Sequence, residues 1–370
     1  MKTVSTAIGV LASTLSIGAQ AGGSIGYDFR ADSNSTSYNV DAALPGYQKF
    51  HLKTGRLHFK GDLNEQLKYE LRWAYNKPAV DNATTAASPA NTTRDGLNNS
   101  IELANITHKM DDMFSLQMGK LNSEIGGLEG ATTGADLYMV SPNYAFSAVK
   151  KLTGSNAGFN QSSGNLTYVT GVKGDIAINP EHHIYLVYAN NAIDSVDSGS
   201  NFNQNRGLTG LIWKGAYMEK ALSAIISYHQ VSPQGAATHE GNKHTFTSAG
   251  VNYDNPQVVG SFDYTTTDYT DGTTSTKDTL SSMIAKFGYK MDAWTPRLEV
   301  YSSEQKVGIG ATTGTNKFMG YGAVVEYKPT ADNFRYHLAY NTITAKPITG
   351  NDQVKTEIVL GARLSGDFLK

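Results

Sequence analysis

Along most of this chain large apolar residues fall on every second position. Leu67-Lys68-Tyr69-Glu70-Leu71-Arg72-Trp73-Ala74-Tyr75 is the clearest case: its odd positions are large and apolar, its even positions Lys, Glu, Arg and Ala. An extended strand sends successive side chains to opposite faces, so this segment has one greasy face and one charged face. The pattern recurs in sixteen segments. They lie near 24–30, 48–59, 67–75, 100–109, 114–119, 165–173, 183–189, 207–213, 221–229, 244–253, 257–264, 279–289, 296–301, 318–327, 334–340 and 354–368. Connections after even-numbered segments are short and rich in turn residues, as in Lys60-Gly61-Asp62, Asp111-Asp112, Asp254-Asn255-Pro256 and 328–333. Connections after odd-numbered segments are long and polar, as in 76–99, 190–206, 265–278 and 341–353. This rhythm predicts an all-β fold, a 16-stranded antiparallel transmembrane β-barrel with lipid outside and water inside. Short turns on one rim and long loops on the other match periplasmic and extracellular rims of a bacterial outer-membrane barrel. The even count brings both chain ends to the short-turn rim, where closure removes exposed sheet edges.

The phase of each segment assigns its faces. Lipid-facing residues are Ile25, Tyr27 and Phe29 in the first segment, Met319, Tyr321, Ala323, Val325 and Tyr327 in the fourteenth, and Phe334, Tyr336, Leu338 and Tyr340 in the fifteenth. Aromatics gather at segment ends: Tyr75, Phe114, Tyr188, Tyr228, Tyr264, Phe287, Tyr289 and Tyr327. Their apolar bodies and polar tips suit the membrane–water boundary. The second segment breaks phase, with Phe50 and Leu52 in one register and Leu57 and Phe59 in the other; a bulge near Thr54-Gly55 reconciles them.

Composition narrows the class. Residues 1–21 read as a secretory leader: Lys2, an uncharged stretch from Thr6 to Gly18, and Ala19-Gln20-Ala21 as a small-x-small cleavage site, leaving 22–370 as the barrel domain. The chain has 31 basic and 33 acidic residues; loss of Lys2 with the leader leaves 30 against 33, a net −3. That balance argues against a nucleic-acid partner, which calls for a basic excess. Cysteine is absent, so no disulfide framework holds this exported chain. No run of 18 apolar residues follows the leader, which rules out a spanning helix but not barrel strands of about 10 residues.

In architecture the chain resembles the bacterial trimeric general porins over essentially its whole mature length. The most specific element is the connection after the fifth segment, 120–164, which opens with Ser123-Glu124-Ile125-Gly126-Gly127. This looks like the Pro-Glu-Phe-Gly-Gly segment that the family carries at the same place, with Ser123 for Pro and Ile125 for Phe. The stretch from Met118-Gly119-Lys120-Leu121 through Glu129 is also similar to phosphate-selective porins. The resemblance implies a third long loop folded inward to narrow a pore, a homotrimer, surrounding outer-membrane lipid and lipopolysaccharide, and passive diffusion of ions and small hydrophilic solutes. The end, Asp367-Phe368-Leu369-Lys370, departs from the family's terminal aromatic, although Phe368 keeps the phase of Ile358, Leu360, Ala362 and Leu364.

A pore needs a field rather than a reactive group, because wall charges in a narrow, low-dielectric channel are poorly screened. By phase, the lumen-facing cations are Arg30, Arg56, Lys68, Arg72, Lys173, Lys286, Arg297, Arg335, Lys355 and Arg363. The lumen-facing acids are Asp28, Glu70, Glu102, Asp263, Glu299, Glu326 and Glu357. Most could simply pair as a structural ladder. Arg56, Lys68 and Arg72 cluster on the second and third segments. The resemblance sets them across a constriction from the loop acids Glu124, Glu129 and Asp136.

Other chemistry finds little footing. His239-Glu240-Gly241-Asn242-Lys243-His244 lacks the second histidine of a zinc-protease motif, since Lys243 stands there. The Gly-rich 308–314 has no following helix to cradle a phosphate. The reading is therefore a non-enzymatic channel without metal or cofactor. Its rivals are a phosphate- or sugar-specific channel, an outer-membrane enzyme such as a lipase, and a secreted β-protein acting in adhesion.

Overall fold

The computed structural model describes residues 23–39, 46–76, 100–145, 166–190, 207–231, 243–272, 274–308, 313–330 and 333–369. The expected leader, much of the long loops, His239 to Asn242 and positions 146–164 of the inward loop lie outside the described residues. Sixteen strands form: β1 (Ser24–Tyr38), β2 (Tyr47–Asp62), β3 (Leu67–Ala74), β4 (Ile101–Lys109), β5 (Phe114–Asn122), β6 (Tyr168–Asn179), β7 (His182–Asn190), β8 (Gly207–Tyr217), β9 (Leu222–Val231), β10 (Lys243–Asp254), β11 (Val258–Thr270), β12 (Lys277–Tyr289), β13 (Trp294–Val307), β14 (Gly314–Tyr327), β15 (Phe334–Lys346) and β16 (Gln353–Leu369). Each pairs antiparallel with its neighbours in sequence, and β1 pairs with β16, so the sheet closes into a barrel.

The short rim is built by one repeated device. Asn64, Asp111, Asn179 and Asn255 each turn a side-chain oxygen back to accept two backbone N–H groups of the reversal, at 2.6–3.0 Å. Asx residues at these positions hold the turn without help from the rest of the fold.

The outer face is apolar as the phase predicts. On β14 Met319, Tyr321, Ala323 and Val325 are exposed while Phe318, Gly320, Gly322, Val324 and Glu326 face inward and are buried. Aromatics meet near the short rim: Trp294 and Tyr327 lie 4.4 Å apart, and Tyr27 and Phe368 4.3 Å apart. Phe368 thus points outward beside the first strand. On β2 the break in phase is a bulge at Lys53: Arg30 pairs with Thr54 but Ala31 pairs with Leu52. Skipping one residue places Phe50, Leu52, Leu57 and Phe59 on the same outer face.

The strands extend beyond their alternating stretches at the long-loop rim. β1 runs on to Tyr38, β11 to Thr270, β13 to Val307 and β15 to Lys346. Consequently the connections expected at 265–278 and 341–353 shrink to 271–276 and 347–352. The added residues, such as Thr265-Thr266-Thr267-Asp268, are polar on both faces because this wall stands above the hydrocarbon. Backbone groups still need partners there, so pairing continues (Thr265↔Ser282, Asp268↔Thr279) after the apolar pattern stops.

The interior is not uniformly wet. Inward residues of β6 to β10, namely Val169, Val187, Ala189, Leu208, Ile212, Ile225, Val231 and Phe246, form a buried apolar cluster with Leu121, Ile125 and Leu166. Leu128 packs against it. On this side the barrel has a dry seat for the loop after β5.

Candidate functional site

The loop between β5 and β6 folds into the barrel along its described length. It enters through left-handed backbone at Glu124 (φ 56), Gly126 (φ 89) and Gly127 (φ 67). Gly127 has a specific reason to lack a side chain: a Cβ there would stand 2.5 Å from Asp263 Oδ1. That close approach lets Asp263 Oδ2 accept the Glu129 N–H (3.1 Å) at the start of a short helix, α1 (Gly127–Ala131). A 3-10 turn follows over Gly134–Asp136.

Wall side chains then hold the loop at successive points. His229 donates from Nε2 to the Ser123 carbonyl (3.0 Å). Glu299 accepts the Met139 N–H (3.1 Å), and Tyr138 donates its hydroxyl to Glu326 (2.9 Å). Asn143 donates to the carbonyls of Thr265 and Leu280 and to the Ser282 hydroxyl, and accepts from Thr267. Arg30, nearly fully buried, donates to the carbonyls of Ala135 (2.8 Å) and Leu137 (3.2 Å). The Tyr138 ring lies between two guanidinium groups, Arg30 at 4.4 Å and Arg297 at 5.1 Å.

The six residues expected at the constriction divide into separate groups. Arg56 and Arg72 converge on Glu102, at 2.7 Å and 2.9 Å. Arg56 reaches the loop through the Thr133 hydroxyl (2.8 Å) rather than through an acid. Lys68 lies near the short rim beside Asp62 (3.4 Å), lining a lumen recess with Lys60 and Thr107. Glu124 pairs with Lys173 (3.1 Å) and with Lys214. Glu129 is buried and accepts from the backbone N–H (3.0 Å) and the hydroxyl of Ser141. Asp136 takes Arg335 and Arg363, each at 2.5 Å. The loop acids therefore find partners on β6, β8, β15 and β16 and within the loop, while the early-strand arginines share a wall acid.

Several participants escape the alternation rule. Lys214 sits past the seventh position of a segment that is apolar on both faces, Leu208-Thr209-Gly210-Leu211-Ile212-Trp213, where phase is ambiguous. Glu102 faces inward as its phase predicts, but on a bulge that the pattern does not announce: Leu103 pairs with Arg72 and Ile101 with Trp73, leaving Glu102 as the extra residue. Tyr138, Ser141 and Asn143 carry no sequence signal, being single polar residues in a loop.

The charge states of the loop follow its partners. Burial pushes the Glu124 carboxyl up, but Lys173 and Lys214 outweigh it and hold the group below its ordinary value. Asp136 behaves alike, with Arg335 and Arg363 overcoming burial. Burial dominates at Glu129, which is raised. A depressed carboxyl contributes stability above its unfolded pKa and loses it as pH falls through the folded one. The ordinary values are 4.5 for Glu124 and 3.8 for Asp136, so their attachments persist at neutral pH and release progressively below about 4. Glu129 has the opposite sign: its contribution is intact in acid and fades as pH rises through its raised value. Acidification from pH 7 to 3 should therefore lower the denaturant midpoint of the refolded protein. The double variant Glu124→Gln/Asp136→Asn should already show a lowered midpoint at pH 7 and change less on acidification.

No protein-family model matches the sequence, and no curated protein matches it. Solved structures do. An anion-selective porin from Comamonas acidovorans superposes with a TM-score of 0.66, covering 93% of this chain and 100% of that one at 12% identity. The fold is the porin fold. The outer membrane channel DcaP of Acinetobacter baumannii gives 0.62 at 12% identity, with 93% and 97% covered. OmpT, an outer membrane protein of Vibrio cholerae, in its trimer form gives 0.55 at 11% identity, with 93% and 99% covered. At such identities the porin fold is shared while pore-lining residues are free to differ. The charge arrangement around the loop is accordingly read from this chain alone.

Proposed function

We propose that this protein is a channel of the bacterial outer membrane, passing ions and small hydrophilic solutes by diffusion. The carrying observation is the contrast between its two faces. Outward rows are apolar and edged with aromatics, whereas β1 to β4 and β13 to β16 turn charged side chains inward around a loop folded into the lumen. A lipid-facing barrel with that interior serves passage rather than packing. The resemblance to an anion-selective porin and to an outer membrane channel supports the reading, and the trimer form of a similar barrel supports assembly as a homotrimer. Residues 1–21 act in it as a cleaved export leader, and lipid with lipopolysaccharide surrounds the mature barrel. Arg56, Lys68, Arg72, Glu124, Glu129 and Asp136 set the field along the path, with Lys68 near the short rim. The channel works without a catalytic group or cofactor.

The test is single-channel current from the refolded protein in a planar bilayer under a salt gradient. Stepwise conductance, grouped in threes, is expected, and the reversal potential gives ion preference. A folded, heat-modifiable barrel that passes no current overturns the channel reading.

A further inference from the structure

The outer face changes character toward the long-loop rim, and on one side of the barrel it ends in lysine. Along β12 the outward row runs Met283, Ser281, Thr279, Lys277, and along β15 it runs Tyr340, Thr342, Thr344, Lys346. The outward rows of β10, β13 and β14 end alike, in Lys243, Lys306 and Lys317. On the other side the rows of β16, β1 and β9 rise to Val354, Ser37 and Gln230, without charge. Lysines that served solubility alone would ring the barrel.

The arc is not neutralised by the wall. Asp268 on β11 holds Lys277 (2.8 Å), and Glu304 on β13 stands 3.6 Å from Lys317. Asp352, in the turn beyond β15, stands 3.6 Å from Lys346. Lys243 and Lys306 make no ion pair among the described residues. Lys317 and Lys346 lie directly opposite one another in register, and each is 62% exposed. Like charges in that position weaken a sheet, so the wall itself gains nothing from the pair.

We propose that this arc is a docking site for lipopolysaccharide of the outer leaflet, with Lys306, Lys317 and Lys346 on the phosphates of its sugar headgroup and no divalent cation between. The order apolar, hydroxyl, ammonium along each strand matches the order acyl chain, sugar, phosphate in an anionic glycolipid standing beside it. Three strand spacings separate β12 from β15, about 14 Å, the breadth of a disaccharide rather than of one phosphate. Lysine meets phosphate as a point charge, and cations at a membrane surface draw anionic headgroups. The proposal rests on the outer-membrane reading and is independent of whether the barrel conducts.

The experiment titrates the full-length refolded protein, in zwitterionic detergent with EDTA, with bisphosphorylated lipid A, and reads the complex by native mass spectrometry. The parent is expected to bind, and Lys306→Gln/Lys317→Gln/Lys346→Gln to bind roughly hundredfold more weakly, about fivefold for each lysine near an anionic surface. Lipid A stripped of both phosphates should bind the two proteins weakly and alike. Heat-modifiability confirms that the variant folds. Equal affinity for lipid A in parent and variant, or no binding to either, overturns the site, and the lysines are then a solvated rim. Binding that requires magnesium overturns it too, because the acids of the arc then reach the phosphates through the metal. Phosphatidylglycerol that binds as tightly as lipid A overturns the glycolipid assignment. Single-channel current from the same two proteins separates the two readings. Conductance without a difference in lipid A affinity leaves the channel and removes the site, whereas the expected loss of affinity in a barrel that passes no current keeps the site and removes the channel.

Discussion

Glu102→Leu should destabilise the barrel by about 3–5 kcal/mol, the cost of stripping the shared partner from buried charges. Glu102 is 1% exposed and holds Arg56 through two contacts and Arg72 through one. Without it two guanidinium groups, one midway along β2 and one toward the long-loop end of β3, are left with their main counter-charge gone. Denaturant midpoints of the refolded protein, followed by heat-modifiability, read the loss directly. Removing Arg72 as well should recover part of it, because the second change lowers the uncompensated charge. As a comparison, Lys68→Leu breaks a pair in which both side chains are 60% exposed, and its effect should stay within about 1 kcal/mol. A Glu102→Leu protein as stable as the parent would mean that water reaches the two arginines and that this part of the lumen is open at the level of the loop.

Leu338→Arg should cost about 2–4 kcal/mol, the range for a cation at the middle of a bilayer-facing barrel wall. Leu338 is half exposed on the outer face of β15 and pairs with Val325 on one side and Leu360 on the other. The rows toward the short rim hold Tyr336 with Tyr327, then Phe334. The rows toward the long loops hold Tyr340 and then Tyr321 opposite Thr342. Leu338 is thus central in the apolar band. The same substitution at Thr344, opposite Met319 at the long-loop edge of that band, should cost less, about 1 kcal/mol. Folding yield into lipid vesicles and denaturant titration separate the two. Equal costs at both positions would move the membrane boundary and with it the assignment of the outer face.

The sixteen strands were legible because period-two alternation is forced wherever one face meets lipid and the other does not. β14 shows the rule at its cleanest, with exposure switching at each residue from Thr315 to Glu326. Turn chemistry was legible for the same local reason, since Asn64, Asp111, Asn179 and Asn255 bond to backbone within three residues of themselves. Strand ends at the long-loop rim were not, because beyond the hydrocarbon both faces are polar and hydrogen bonding leaves no mark in the pattern. Phase identified Arg30, Arg335 and Arg363 as inward, yet gave no hint that they share one row. The bulge at Lys53 was legible from the phase break in β2, while the bulge at Glu102 was hidden, since Glu102 and Leu103 both turn inward there.

By itself, then, the sequence determined what is local and periodic: strand number, the lipid face of the strands that alternate, the reversals at the short rim and the inward loop's starting point. Tertiary structure alone decided the partners. Closure of β1 on β16 sets Arg30, Arg363 and Arg335 abreast, and the loop's path sends Asp136 to that row, Glu124 to Lys173 and Lys214, and leaves Arg56 and Arg72 to Glu102. Alternation assigns a side chain to a face. A charge is recognised by whatever lies a few ångströms across the lumen, often more than a hundred residues away in the chain, and that distance is a property of the closed barrel.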